Sequence, residues 1–224
     1  MPKNLSEGTI KKWLQGWCLS RELPLPIRYK SGFKVDVGHE KQKSRYVFPT
    51  LNQDFIDLAR TIDEPWVFLK VCASPAELKN LLPPQWIIQP QGYMMACLHT
   101  MLERPARLNP GYRMELVEYN STYHLRIIAQ DESVAAEGRV VLVDFLAVYD
   151  RISTHVNHRR KGLATLLLYE LEKIALSKGV TQNFLVSTEE GKLLYQSLGW
   201  DLCCLYTSIV IPGGVKGEHN LTIG

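Results

Sequence analysis

The five cysteines, Cys18, Cys72, Cys97, Cys203 and Cys204, include no C-x-x-C spacing and are odd in number. They announce neither a zinc site nor a complete disulfide framework, and a reducing compartment suits them. No metal is expected. Long apolar runs are also missing: nothing approaches the roughly 20 residues that cross a bilayer, and the opening MPKNLSEGTIKKW lacks the apolar core of a secretory signal. The expected setting is therefore the cytoplasm, with no membrane partner. Charge of one sign is scarce, since 26 Lys and Arg against 23 Asp and Glu leave a formal +3. A duplex binder spreads basic residues over a whole face, so no nucleic acid partner is expected. The absence of G-x-x-x-x-G-K-[ST] removes a P-loop phosphotransferase.

What is present is an ordinary globular composition over 224 residues, enough for one large domain or two small ones. The most informative stretch is Thr154 to Gly179, THVNHRRKGLATLLLYELEKIALSKG. From Leu163 the apolar residues Leu166, Leu167, Leu171, Ile174 and Ala175 follow at helical steps, and the strand-like FLAVYDRI precedes the turn. A helix start offers unpaired backbone N–H groups and the positive end of the macrodipole. Gly162 and Ala164 keep the turn small, while Arg159, Arg160 and Lys161 add charge from outside it. The expected ligand of such a turn is a phosphate ester; the alternative is a capped surface turn with solvated charges.

Elsewhere, Leu5 to Leu19 reads as a helix begun at Ser6-Glu7 that places Ile10, Trp13, Leu14 and Trp17 on one side. Its two tryptophans either pack the core or line a pocket. Phe33 to Val37 and Arg45 to Phe48 read as strands joined by a loop from Gly38 to Ser44. Asn52 to Ile62 is a short amphipathic helix. WVFLKVCA is a strand, and Ser74-Pro75-Ala76-Glu77 starts a helix that Leu82-Pro83-Pro84 ends. Tyr93 to Leu102 is a further strand. Two hairpins follow, turning near Asn120-Ser121 and Asp131-Glu132, and a tight turn at Val143-Asp144 leads into FLAVYDRIST as the central strand. Asn183 to Ser187 and Leu202 to Ile211 are strands flanking a helix from Glu190 to Leu198. The tail from Pro212 is expected to be a loop or an edge strand.

Arg159-Arg160-Lys161-Gly162-Leu163-Ala164 fits R-x-x-G-x-A, and GKLLYQSLGW, Gly191 to Trp200, has a tyrosine helix ending in glycine and an aromatic residue. Together, in this order, they resemble the GNAT superfamily of acyl-CoA-dependent N-acyltransferases over about residues 112–210. The resemblance implies an α/β (α+β) fold: a mixed, mostly antiparallel central sheet flanked by helices. The part after Gly111 lacks an opening strand and two helices. Residues 1–110 would complete the fold and line the acceptor site, with 111–224 as the acetyltransferase core. The supply comes either from residues 45 to 102, or from a degenerate half-repeat at Trp66 to Leu102.

By the same resemblance the co-substrate is acetyl-CoA or another acyl-CoA. Its diphosphate would rest on the backbone amides of Arg160, Lys161, Gly162, Leu163, Ala164 and Thr165, with Arg159 beside them. Its pantetheine arm would run along Ile152, Ser153 and Thr154. Tyr195 is the implied acid, since a phenol with a pKa of about 10 holds a proton for a departing thiolate. Thr188 stands where many relatives have asparagine, and would touch the pantetheine. Asp150 interrupts an apolar run just ahead of the donor's path. It is either the base that deprotonates the amine or half of an ion pair with Arg151 or another cation. Glu118, Glu137, His155 and His158 are weaker candidates. The implied reaction is direct transfer to a primary amine of a small or amino-acid-like molecule; a non-catalytic acyl-CoA sensor is the alternative.

Overall fold

Three side-chain caps open helices at positions where the sequence places them, in a computed structural model that describes residues 5–103 and 107–213. Ser6 Oγ accepts from Thr9 N at 3.0 Å and starts α1 (Glu7–Ser20). Asn52 Oδ1 accepts from Phe55 N at 3.2 Å and starts α2 (Gln53–Thr61). Ser74 and Glu77 form a reciprocal capping box at α3 (Pro75–Leu78). This last helix stops before Leu82-Pro83-Pro84. Leu78 is its one buried side chain, so no apolar face holds a second turn in place.

Among the described residues twelve strands form one sheet. The first six are β1 (Ile27–Tyr29), β2 (Gly32–His39), β3 (Gln42–Phe48), β4 (Val67–Val71), β5 (Ile87–Ile88) and β6 (Gly92–Cys97). The other six are β7 (Tyr112–Tyr119), β8 (Thr122–Ala129), β9 (Val134–Val143), β10 (Leu146–Thr154), β11 (Gln182–Ser187) and β12 (Asp201–Val210). Helix α4 (Leu163–Ser177) joins β10 to β11, and α5 (Glu189–Ser197) joins β11 to β12. The β2–β3 loop is shorter than expected, because both strands extend toward each other until His39 pairs with Gln42. Strand β6 ends at Cys97 rather than Leu102. The expected turn at Asn120-Ser121 is present, with both residues at positive φ, 43° and 58°. Beyond Gly213 the tail lies outside the described residues.

The strand order is β1-β2-β3-β4-β12-β6-β11-β10-β9-β8-β7, with β5 also on β12. Strand β10 is thus interior, and the centre belongs to β6 and β12. Outward from that centre the same series runs both ways. On one side β10 and β11 are parallel and α4 connects them; on the other β3 and β4 are parallel and α2 connects them. The closing strands are exchanged, for β6 pairs with β11 while β12 pairs with β4.

Alternation along the strands divides the core. Ala147 and Tyr149 of β10 join the cluster under α4 with Leu163, Leu167 and Leu171, whereas Leu146 and Val148 face α1 with Trp13 and Trp17. Helix α1 therefore covers the face opposite α4. It comes from residues 7–20, ahead of the stretch 45 to 102 that was one of the expected sources of the missing elements. Its Gly16 permits the close approach: a Cβ there would sit 2.8 Å from Val148 Cβ.

Candidate active site

Strands β10 and β11 pair through four registers, Leu146↔Gln182 to Tyr149↔Leu185, and then separate. A bulge in β10 between Asp150 and Ser153 drives the separation, with Arg151 in the left-handed region at φ 54°. Beyond it Ser153 and Thr154 still pair with β9, and Val186 and Ser187 still pair with β6. Their other edges face the gap. An opened parallel pair leaves main-chain donors and acceptors available to an extended ligand, and Ile152, Ser153 and Thr154 lie along that edge.

The fork leads to the start of α4. Gly162 is the N-cap residue at φ 76°, no side chain among the described residues caps the helix, and the first intrahelical bond is Leu166 N to Gly162 O at 3.0 Å. The N–H groups before Leu166 are consequently the unpaired donors of the first turn. A Cβ on Gly162 would meet nothing within 4 Å, so the space above the turn is open. Arg159, Arg160 and Lys161 are exposed around it. Arg159 reaches Glu190 of α5 at 3.2 Å, and Lys161 Nζ donates to Tyr112 Oη at 3.0 Å. Both are surface contacts of small energy, which a competing anion displaces at little cost. His158 Nδ1 lies 2.9 Å from the Tyr112 hydroxyl, and His155 Nδ1 accepts from Asn157 N. Both histidines thus serve the turn's own shape.

Tyr195 is buried among Leu198 and Trp200, at 7% exposure. Burial, and after it the negative charge of Asp150, pushes its phenol above the ordinary tyrosine value. A raised phenol keeps its proton at neutral pH. Thr188 caps α5, its Oγ1 accepting from Gly191 N at 3.2 Å, which leaves the hydroxyl proton to donate elsewhere. Asp150 is half of an ion pair, and of the cations open to it the partner is Arg21 rather than Arg151. Arg21 at the end of α1 grips it with Nη2 to Oδ1 at 2.8 Å and Nε to Oδ2 at 3.0 Å, and Ser20 Oγ donates to Oδ2 at 2.7 Å. The bidentate pair joins α1 to the fork. Glu137 is paired with His124 at 2.8 Å, and Glu118 lies on β7, separated from β10 by β9 and β8.

A cleft of about 560 Å³ continues from the fork toward the first half of the chain. Tyr149, Asp150, Ser187 and Thr188 line its outer end; Trp17, Arg45, Lys70, Gln91 and Tyr206 line the inner end. The tryptophans of α1 do both things open to them: Trp13 and Trp17 are 3% and 5% exposed in the core, and both also border the cleft. Sequence reasoning missed Arg45, Lys70 and Tyr206 as site residues. The available signal was Lys70, which interrupts the apolar run WVFLKV just as Asp150 interrupts FLAVYDRI. A second depression, of about 350 Å³ near Lys34 and Lys43, has its charges matched locally, with Lys34–Asp36 at 2.8 Å and Lys43–Glu64 at 2.7 Å. Among the described residues no group of three or more His, Cys, Asp and Glu is placed to hold a metal. Nor, among them, is any helix long and apolar enough to cross a membrane.

A family model described as the acetyltransferase (GNAT) family matches residues 86–200, reaching back to β5 and β6. No curated protein matches the sequence. Among solved structures, a GCN5-related N-acetyltransferase from Kribbella flavida superposes with a TM-score of 0.68 at 15% identity, over 94% of this chain and 97% of that one. A putative GNAT-family acetyltransferase from Novosphingobium aromaticivorans gives 0.56 at 15% identity, over 91% and 99%. A tandem GNAT protein from the clavulanic acid biosynthesis pathway gives 0.53 at 12% identity, over 95% and 98%.

Proposed function

The chain belongs to the GNAT acetyltransferase family, and on that premise we propose that it is an N-acyltransferase moving an acetyl group from acetyl-CoA to a primary amine of a small or amino-acid-like molecule. The observation that carries this reading is the strand fork after Tyr149 and Leu185, which opens directly onto the uncapped, glycine-started helix α4. Free N–H groups at a helix start suit a diphosphate, and free strand edges suit the amide-bearing arm behind it.

In the proposed reaction both substrates sit in one ternary complex. The neutral amine nitrogen attacks the thioester carbonyl carbon; the C–N bond forms, the C–S bond breaks, and the departing thiolate takes the Tyr195 phenol proton. The proton lost by the amine passes to solvent water, from which Tyr195 recovers its own. The products are the amide and the free thiol. Asp150 contributes as an anchor, because both its oxygens are engaged by Ser20 and Arg21. The role of Tyr195 rests on its protonated state, its burial and its nearness to Asp150 at the fork.

One observation favours the sensor alternative: the carboxylate nearest the fork already has its partners. A thiol-release screen against amines, amino acids, antibiotics and peptides, with acetyl- and longer acyl-CoA donors, tests the proposal. Transfer to an amine that Tyr195→Phe loses while retaining CoA affinity supports it. CoA binding without transfer to any acceptor makes the protein a sensor.

A further inference from the structure

The inner end of the cleft holds more positive charge than its own contacts explain. Arg45, 8% exposed, stacks on Trp17 with its guanidinium carbon 3.7 Å from the ring centroid. The Gln42 amide, turned with its oxygen inward, accepts from Arg45 Nη2 at 2.9 Å and Nε at 3.2 Å. Lys70 Nζ donates to Ser208 Oγ at 2.6 Å. These partners are neutral. The carboxylates along the cleft are committed elsewhere: Asp150 to Arg21, Glu189 to Lys192 at 2.9 Å, and Glu190 to Arg159. The charges felt by Lys70 are those of Arg45 and Arg21, both cations, while Arg45 also feels Asp150, a carboxylate whose oxygens Arg21 and Ser20 already hold.

Arg45 is buried and Lys70 half-buried, and two cations held together on neutral hydrogen-bond partners are costly unless something else completes the site. Two orphaned atoms sit beside them. The Tyr206 hydroxyl is buried and has no hydrogen-bond partner among the described residues, although its ring borders the cleft and Lys70 Nζ lies 5.7 Å from the ring centroid. Gln91 Oε1 is likewise buried and unpaired. A hydroxyl can donate to an anion, whereas an amide oxygen suits an N–H donor on the same ligand.

We propose that Arg45, Lys70 and the Tyr206 hydroxyl bind an oxyanion on the acceptor, so that the amine offered at the fork belongs to an amino acid or an aminoalkyl phosphate rather than to a simple alkylamine. The inference rests on the acyl-transfer reading for what happens to the amine, but not for the anion site itself. Electrostatics agrees with it. Burial and the neighbouring guanidinium groups push the Lys70 ammonium well below the ordinary lysine value, and burial pushes Arg45 down to about 10. An incoming anion favours the charged form of both groups; Arg45 is already charged at neutral pH, so any proton taken up on binding goes to Lys70.

The test is calorimetric binding of matched probes to wild type, Lys70→Met and Arg45→Lys. Common amino acids are compared with their amides, and phosphoethanolamine with ethanolamine. Wild type should bind at least one acid about tenfold or more tightly than its neutral partner. Lys70→Met should remove most of that preference, and Arg45→Lys should weaken it by losing the planar fork. CoA affinity and the thermal melt serve as controls for folding. The amino-acid and phosphate arms decide which oxyanion is taken. Equal binding of acids and neutral partners, or a preference that survives both variants, overturns the anion site. Acid binding without thiol release leaves the site standing and sinks the transferase reading; thiol release without acid preference does the reverse.

Discussion

The two parallel strand pairs of the sheet share a topology and differ in what stands at their open ends. Between β3 and β4 the pairing runs from Ser44↔Val67 to Phe48↔Val71 and is prolonged by Cys72 N to Phe48 O at 3.2 Å. The connection to α2 is only residues 49–52, and Asn52 closes the helix start with its side chain. Between β10 and β11 the pairing fails after Tyr149↔Leu185, the connection is residues 155–162, and Gly162 leaves the helix start bare. One pair is thus sealed by its own side chains and the other is open to a ligand. The difference comes from one bulge, four additional loop residues and the absence of a capping side chain. An anion site needs nothing foreign to the fold, only hydrogen bonds left unmade.

The comparison breaks most sharply at Gly162. Gly162→Val forces a β-branched residue to φ 76° and puts methyl groups over the free N–H groups. CoA affinity, measured by titration calorimetry, should fall by roughly a hundredfold or more, and the left-handed strain of about 1–3 kcal/mol should lower the thermal melt by a few degrees without unfolding the protein. Unaltered affinity would put the diphosphate elsewhere. Next is Tyr195→Phe, which keeps the ring against Trp200 and removes only the hydroxyl. The rate constant kcat should drop about a hundredfold while CoA affinity holds; a drop in KM alone contradicts an acid role.

Arg21→Ala probes the joint between α1 and the open fork. It leaves the Asp150 carboxylate, 11% exposed, without its bidentate partner. Full burial would cost several kcal/mol, and the partial exposure of Arg21 reduces the expected loss to about 2 kcal/mol in urea denaturation. The smallest effect belongs to the sealed pair. Asn52→Ala removes a cap worth about 1 kcal/mol and should leave CoA affinity untouched. An affinity change there would mean that the two forks are coupled.

Local chemistry made much of this legible in the sequence. Ser6, Ser74 and the Asn120-Ser121 turn act on their immediate neighbours, and Gly162 is read from the residues beside it, so spacing alone reveals them. The cleft was not legible, because Arg45, Lys70 and Tyr206 lie on β3, β4 and β12 and meet only through the strand order. Asp150 shows the same limit. Its position in an apolar run said that it needed a partner, but Arg21 lies 129 positions away, and no local pattern prefers it to Arg151.

The exchange of closing strands also sets a timetable for synthesis. Both lateral neighbours of β6, namely β11 and β12, are made after it. When residues 92–97 leave the ribosome, their hydrogen-bonding edges have nothing to meet until about 90 further residues have followed. A nascent chain in that condition offers a bare apolar strand to any other chain or chaperone nearby. Cutting the gene between the halves would make the delay permanent, so neither fragment alone should accumulate as folded protein unless the other is supplied with it.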